Sequence, residues 1–321
     1  MKAIIRNTYG SADVLQLVEL EKPAPAVDEV LIKVHAASIN MADRYLMRGK
    51  PLMARIMTGG LLRPKSNRLG ADVAGEVVEV GRDVRGFRPG DAVYADLAAC
   101  GFGGFSEYVA VPEKYLARKP ANLSFEQAAA VPMAAVTALQ ALRDKAEVRA
   151  GNKVLIHGAS GGVGTFAVQI AKKLGADVTA VVSTRNVAAA RSLGADHVID
   201  YTREDFARDG RRYDAVIAAN GNRPLADYRR ALAGGGVLVV TGGSMGQIFK
   251  AMLPWPARDG KRTTALSARP SGADLAAVTE MIEAGRVMPV IDGCHPLAEI
   301  ATAMRYLEAE HPRGKVVLTV G

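Results

Sequence analysis

The chain has 321 residues, 49% hydrophobic and 23% charged, a formal net charge of +8 and two cysteines. That length suggests two domains of roughly 150 residues each, and the composition is that of a globular protein able to build its own core. Cys100 and Cys294 can form neither a disulfide framework nor a four-ligand metal site, and the interleaving of Lys and Arg with Asp and Glu argues against nucleic-acid binding.

The N-terminus MKAIIRNTYG has no apolar stretch of signal-peptide length. From residue 1 to about 120 the chain reads as short strands with turn punctuation. Residues 29–35 and 75–81 are examples, and Pro89-Gly90-Asp91 leads into a third. Such spacing predicts a small antiparallel barrel. Asp43 reads as the cap of a short helix over 44–48, and residues 46–68 as an inserted segment rich in Met, Arg and Gly. An uncharged run, 127–142, is interrupted by Pro132. It is too short to span a bilayer and reads as a helix pair or broken helix. A cytoplasmic chain with reduced thiols is therefore expected.

From about residue 122 strands alternate with helices. Strands are predicted at 153–157, 177–182, 197–201, 213–218, 236–240 and 263–267, and helices at 162–174, 186–193 and 224–232. That alternation predicts a doubly wound parallel sheet. In 245–262, the residues Met245, Ile248, Phe249, Met252, Leu253 and Trp255 offer apolar area for a substrate pocket, a partner or the core. Helices near 274–284 and 296–308 follow, and a last strand at 315–320 is expected to return to the first domain. The expected division is 1–121 completed by 269–321, and 122–268.

The sharpest motif is Ala159-Ser160-Gly161-Gly162-Val163-Gly164, which follows a strand and opens an amphipathic helix. It matches the dinucleotide fingerprint G-x-G-x-x-G with alanine first. Gly161 would let backbone approach a pyrophosphate, Gly164 would let helix and strand pack closely, and the helix N-terminus would face the phosphate. An NAD site usually carries a carboxylate at the end of the second strand. Here that position reads Ser183-Thr184-Arg185, and Arg185 can pair with a 2′-phosphate, so NADPH/NADP+ is the expected cofactor.

These residues resemble the medium-chain dehydrogenase/reductase superfamily, in its zinc-free quinone oxidoreductase branch. The likeness rests on Ser38-Ile39-Asn40-Met41-Ala42-Asp43, the run from Gly70 to Gly81, Pro89-Gly90-Asp91, Gly104-Phe105-Ser106-Glu107-Tyr108, the run from Ala130 to Thr137, the glycine motif, Leu193-Gly194-Ala195-Asp196 and Gly314-Lys315-Val316-Val317-Leu318. It implies a GroES-like antiparallel β-barrel domain beside a Rossmann domain, and hydride transfer to a quinone or enone. Zinc-dependent relatives carry a catalytic Cys and a Gly-His-Glu segment. Here Asn40 lies near the first position and Gly70-Ala71-Asp72 stands at the second, so no metal is expected.

The resemblance further implies Tyr201 against the 2′-phosphate. It puts Asn40 and Tyr45 at the nicotinamide end of the cleft as catalytic candidates, Thr137 near the nicotinamide, and Asn220, Gly221, Thr241, Gly242, Gly243 and Lys315 among the cofactor contacts. Asn40 and Tyr45 are the expected hydrogen-bond donors to the accepting oxygen. Homodimers are implied as well. Two other classes stay open: a dinucleotide-binding redox sensor or assembly protein without turnover, and a zinc-independent reductase of other small carbonyls.

Overall fold

The computed structural model describes residues 1–57, 60–253, 255, 258–309 and 312–321. The chain divides into two units: Met1–Met133 with Arg269–Glu283 and Pro289–Gly321, and Ala134–Ala268 with Ala284–Met288.

In the first unit, β1 (Lys2–Ile5) and β2 (Gln16–Glu19) pair antiparallel. Then come β3 (Glu29–Ile39), α1 (Met41–Arg48), α2 (Leu52–Met57), β4 (Asp72–Val80), β5 (Ala92–Asp96), β6 (Tyr108–Pro112), β7 (Leu116–Arg118), α3 (Phe125–Ala129) and the start of α4 (Pro132–Gln140). β3 is the spine of a seven-stranded sheet and pairs antiparallel with β4 and β6. Its near-continuous burial follows, since Val30, Leu31 and Ile32 lie fully inside.

The unit runs on to Met133 rather than ending at 121, because α3 packs on β3 and β4, with the His35 and Phe125 rings 4.4 Å apart. The uncharged run is a broken helix, interrupted between Ala129 and Pro132 and ending in a π-helical turn, Ala141–Lys145.

The second unit carries β8 (Lys153–His157), α5 (Gly162–Lys173), β9 (Asp177–Val182), α6 (Val187–Ser192), β10 (His197–Asp200), β11 (Tyr213–Ala218), α7 (Leu225–Ala231), β12 (Leu232–Val240), α8 (Met245–Met252) and β13 (Arg262–Ala265). All six strands are parallel, in the order β10-β9-β8-β11-β12-β13. That order is the doubly wound dinucleotide-binding topology, with β8 at the switch point. β12 starts at Leu232 rather than 236, because Leu232 already pairs with Tyr213.

α9 (Gly272–Glu283), β14 (Ile291–Pro296), α10 (Ile300–Ala309) and β15 (Lys315–Thr319) belong to the first unit again. β15 pairs with β3, the return expected of the last strand.

Within 46–68, Thr58 and Gly59 lie outside the described residues, as do Pro254, Pro256 and Ala257 within 245–262. Of the apolar side chains in the second segment, Ile248 and Trp255 pack on the core of their unit, whereas Phe249, Met252 and Leu253 are exposed. Among the described residues no helix is long and apolar enough to cross a membrane.

Candidate functional site

In the second unit, β8 ends at His157 and α5 starts with Gly161 as its N-cap. Gly158 has φ +79°, and a Cβ there would lie 2.7 Å from Asn220 Cβ. At Gly164 a Cβ would meet the Gly158 carbonyl oxygen at 2.1 Å, so only glycine lets the helix pack this close. Gly161 is different. A Cβ there would lie an ordinary 3.6 Å from the Gly158 oxygen, so the protein itself leaves room for a side chain. Ala159 is buried, while Ser160, Gly161, Gly162 and Val163 stay half-exposed along the turn. The first-turn N–H groups of Gly162, Val163 and Gly164 have no carbonyl inside the helix to bond, and the helix dipole is positive there. The cradle therefore fits the diphosphate of a dinucleotide.

Two loops at the carboxyl ends of β11 and β12 border this turn. Gly221 N donates to Gly242 O at 2.8 Å, and Gly221 bridges to Gly243. Gly243 has φ +110°, and a Cβ there would lie 2.5 Å from Gly221 N. Thr241 N donates to Ala218 O. Beneath them, His157 Nδ1 lies 2.8 Å from Asn220 O and 3.1 Å from the Tyr228 hydroxyl. Burial pushes His157 down to about 4, so it is neutral at ordinary pH and donates through Nδ1. His157 and Tyr228 were not among the sequence candidates. The histidine's place directly before the glycine turn was the available signal. Thr137 is buried on α4.

Ser183, Thr184 and Arg185 follow β9, and the backbone N–H of Tyr201 donates to Val182 O, so the two strand ends leave the sheet side by side. Arg185 is exposed, and Tyr201 is 57% exposed, not core. Beside them lies Asp200, not a sequence candidate, whose carboxylate accepts from Thr184 Oγ1 at 2.6 Å and from Thr202 Oγ1 at 2.8 Å. These hydrogen bonds, Thr184's foremost, hold its carboxyl below the usual range. Its position immediately before Tyr201 was visible in the sequence.

The first unit holds a buried polar network. Asp72 on β4 is fully buried. Its Oδ2 accepts from Ser38 Oγ (2.9 Å), Asn40 Nδ2 (3.0 Å) and Lys315 Nζ (3.1 Å), and its Oδ1 from Met133 N (2.8 Å). Lys315, 4% exposed, also donates to Asn40 Oδ1 at 2.5 Å. Asn40 therefore does not present its amide as a free donor: its Oδ1 accepts from the Lys315 ammonium, which turns its Nδ2 toward Asp72 and the Ser38 carbonyl. Lys315, expected among the cofactor contacts, instead has its ammonium inside this network.

The cap of α1 also differs from expectation. Asn40 is the N-cap, and Asp43 stands three residues on, accepting from Asn40 N and from Gly70 N. Asp96 faces Asp72 across the β4–β5 ladder. Desolvation pushes Asp43 up to about 6 and, with Asp72's charge, Asp96 up to about 7. Tyr45 is half-buried on α1, with the Arg44 guanidinium 5.7 Å from its ring.

The family description "Alcohol dehydrogenase GroES-like domain" matches residues 26–121, and "Zinc-binding dehydrogenase" matches 193–318. The chain is 33% identical to the chloroplast envelope quinone oxidoreductase homolog of Arabidopsis thaliana, over 99% of this chain and 98% of that one. It is 37% identical to the NADPH-dependent alkenal/one oxidoreductase of the same plant, over 99% of this chain and 79% of the relative. The solved quinone oxidoreductase from Coxiella burnetii matches with a TM-score of 0.89 at 33% identity, covering 100% of this chain and 99% of that chain.

Proposed function

Since the chain belongs to the medium-chain dehydrogenase/reductase superfamily of oxidoreductases, in its quinone oxidoreductase-like branch, we propose that it reduces quinones and α,β-unsaturated carbonyl compounds with NADPH, without zinc. The observation that carries this reading is Gly161, a glycine where the protein alone would accept a side chain, at the mouth of a helix N-terminus. A bound diphosphate needs that space. The names of the two plant relatives support the substrate class.

The backbone N–H groups from Gly162 to Gly164 would hold the diphosphate, Arg185 with Ser183 and Tyr201 the 2′-phosphate, and Thr137, Asn220 and Thr241 the nicotinamide end. The nicotinamide, when bound, supplies a hydride. The protein must then stabilise the charge that develops on the acceptor oxygen. Tyr45 is the proposed donor, and Asn40 fixes the start of the helix that carries it. A conjugated acceptor spreads that charge and so asks less of a metal-free site than a simple ketone.

The donor set does not fit zinc. The two ligand-like positions are Asn40 and Asp72, an alanine stands between Gly70 and Asp72, and a lysine ammonium already bonds both side chains. Zinc sites take thiolate, imidazole and carboxylate ligands, not an ammonium. A second copy of the chain is proposed to join along β13, the outer strand of its sheet.

The test is turnover of NADPH with a quinone and with an enone, before and after treatment with a strong chelator. Equal rates in both samples support the reading. Rates abolished by the chelator and restored by Zn²⁺ contradict the zinc-free part. NADPH binding with no turnover of any acceptor would make the protein a dinucleotide-binding sensor or assembly protein.

A further inference from the structure

We propose that Lys315 is a positioning residue that does the work of a metal: its ammonium ties Asp72 to Asn40 and thereby fixes the N-terminus of α1, the helix that carries Tyr45. The inference rests on the reductase reading above.

The pair is deep, with Lys315 4% exposed and Asp72 fully buried. Burying two charges gains little net stability, because desolvation offsets the attraction, so stability alone does not account for the pair. Its geometry points to placement. Lys315 is on β15, Asp72 on β4 and Asn40 at the entry to α1, so three elements distant in sequence meet at one ammonium.

A lysine ammonium has donors and no acceptor. The Asn40 oxygen must therefore face Lys315, which leaves the amide hydrogens for Asp72 and the Ser38 carbonyl. Lys315 thus sets which way Asn40 points. Asp72 extends the arrangement through its second oxygen to the N–H of Met133, in the first turn of α4. One ammonium and one carboxylate so anchor the starts of two helices. In zinc-dependent relatives the positions near Asn40 and Asp72 belong to the ligand cysteine and to the Gly-His-Glu segment. Here the lysine links them.

Three variants test this, each read by thermal unfolding, by NADPH affinity and by kcat and KM for a quinone acceptor. Lys315→Met leaves Asp72 buried without its cation and should melt well below the wild type. Asp72→Asn combined with Lys315→Met removes both charges and should recover most of that loss. The double variant should still bind NADPH within about twofold of wild type but turn over about 10- to 100-fold more slowly, the cost of a misplaced reacting group. Lys315→Arg keeps the charge with a different reach, and should fold, bind NADPH and lose about tenfold in kcat.

A double variant with wild-type kcat would overturn the proposal. So would a parallel loss of kcat and NADPH affinity, the mark of a general structural defect. If neither methionine variant folds, unchanged kcat in Lys315→Arg overturns it and a selective fall supports it. Wild-type protein that oxidises NADPH with no quinone or enone would instead defeat the reductase reading itself.

Discussion

The glycine turn between β8 and α5 consists of consecutive residues whose chemistry lies in backbone N–H groups. The network around Asp72 gathers side chains, and one backbone N–H, from β3, α1, β4, α4 and β15. The first region needs space, and its hydrogen-bond donors do not titrate. The second needs matched charges in a dry setting, and its neighbours Asp43 and Asp96 do titrate. One is sensitive to an added carbon atom, the other to a removed charge or a change of pH.

Asp72→Ala should break that contrast most severely. It strands the Lys315 ammonium and the donors of Ser38, Asn40 and Met133, at a cost of about 3–5 kcal/mol in urea unfolding.

Within the turn, Gly164→Ala and Gly161→Ala should differ sharply. The first forces a carbon against the Gly158 carbonyl and should cost about 1–3 kcal/mol together with NADPH binding. The second should stay within about 1 kcal/mol of wild type, the N-cap cost of alanine, yet lose NADPH affinity by tenfold or more. Equal stability of the two variants would refute the distinction between packing glycine and ligand glycine.

Arg185→Ala should weaken NADPH by about tenfold and leave NADH unchanged, measured by fluorescence titration.

The smallest effect concerns pH. Asp43 and Asp96 hold protons more tightly in the folded chain than at their ordinary value of 3.8. The stability they lend is full below that value and is lost as pH rises through about 6 and about 7. Asp96→Asn should flatten the fall in melting temperature over that window. His157 runs the other way. Its contribution is present above 6.5 and is lost as pH falls through about 4.

The same contrast governs what was legible in the sequence. The strand, turn and helix around Gly161 lie within one short window, so periodicity and glycine spacing sufficed, and the strands of the parallel sheet followed from the same local signals. Lys315 and Asp72 are 243 positions apart, and no local pattern links them. Asn40 and Asp43 are both good capping residues, and which one caps α1 depends on a contact to Gly70 that the local sequence does not carry. Asp200 ends the third strand rather than the second, so the local sequence hides it, yet parallel pairing with Val182 sets it beside Thr184.

The most direct measurement is a paired fluorescence titration of the purified protein with NADPH and NADH. The account predicts tighter binding of NADPH, lost in Gly161→Ala and reduced to the NADH level in Arg185→Ala. Equal or NADH-favoured binding would contradict the role given to Ser183, Thr184 and Arg185, and binding of neither would contradict the reductase reading as a whole.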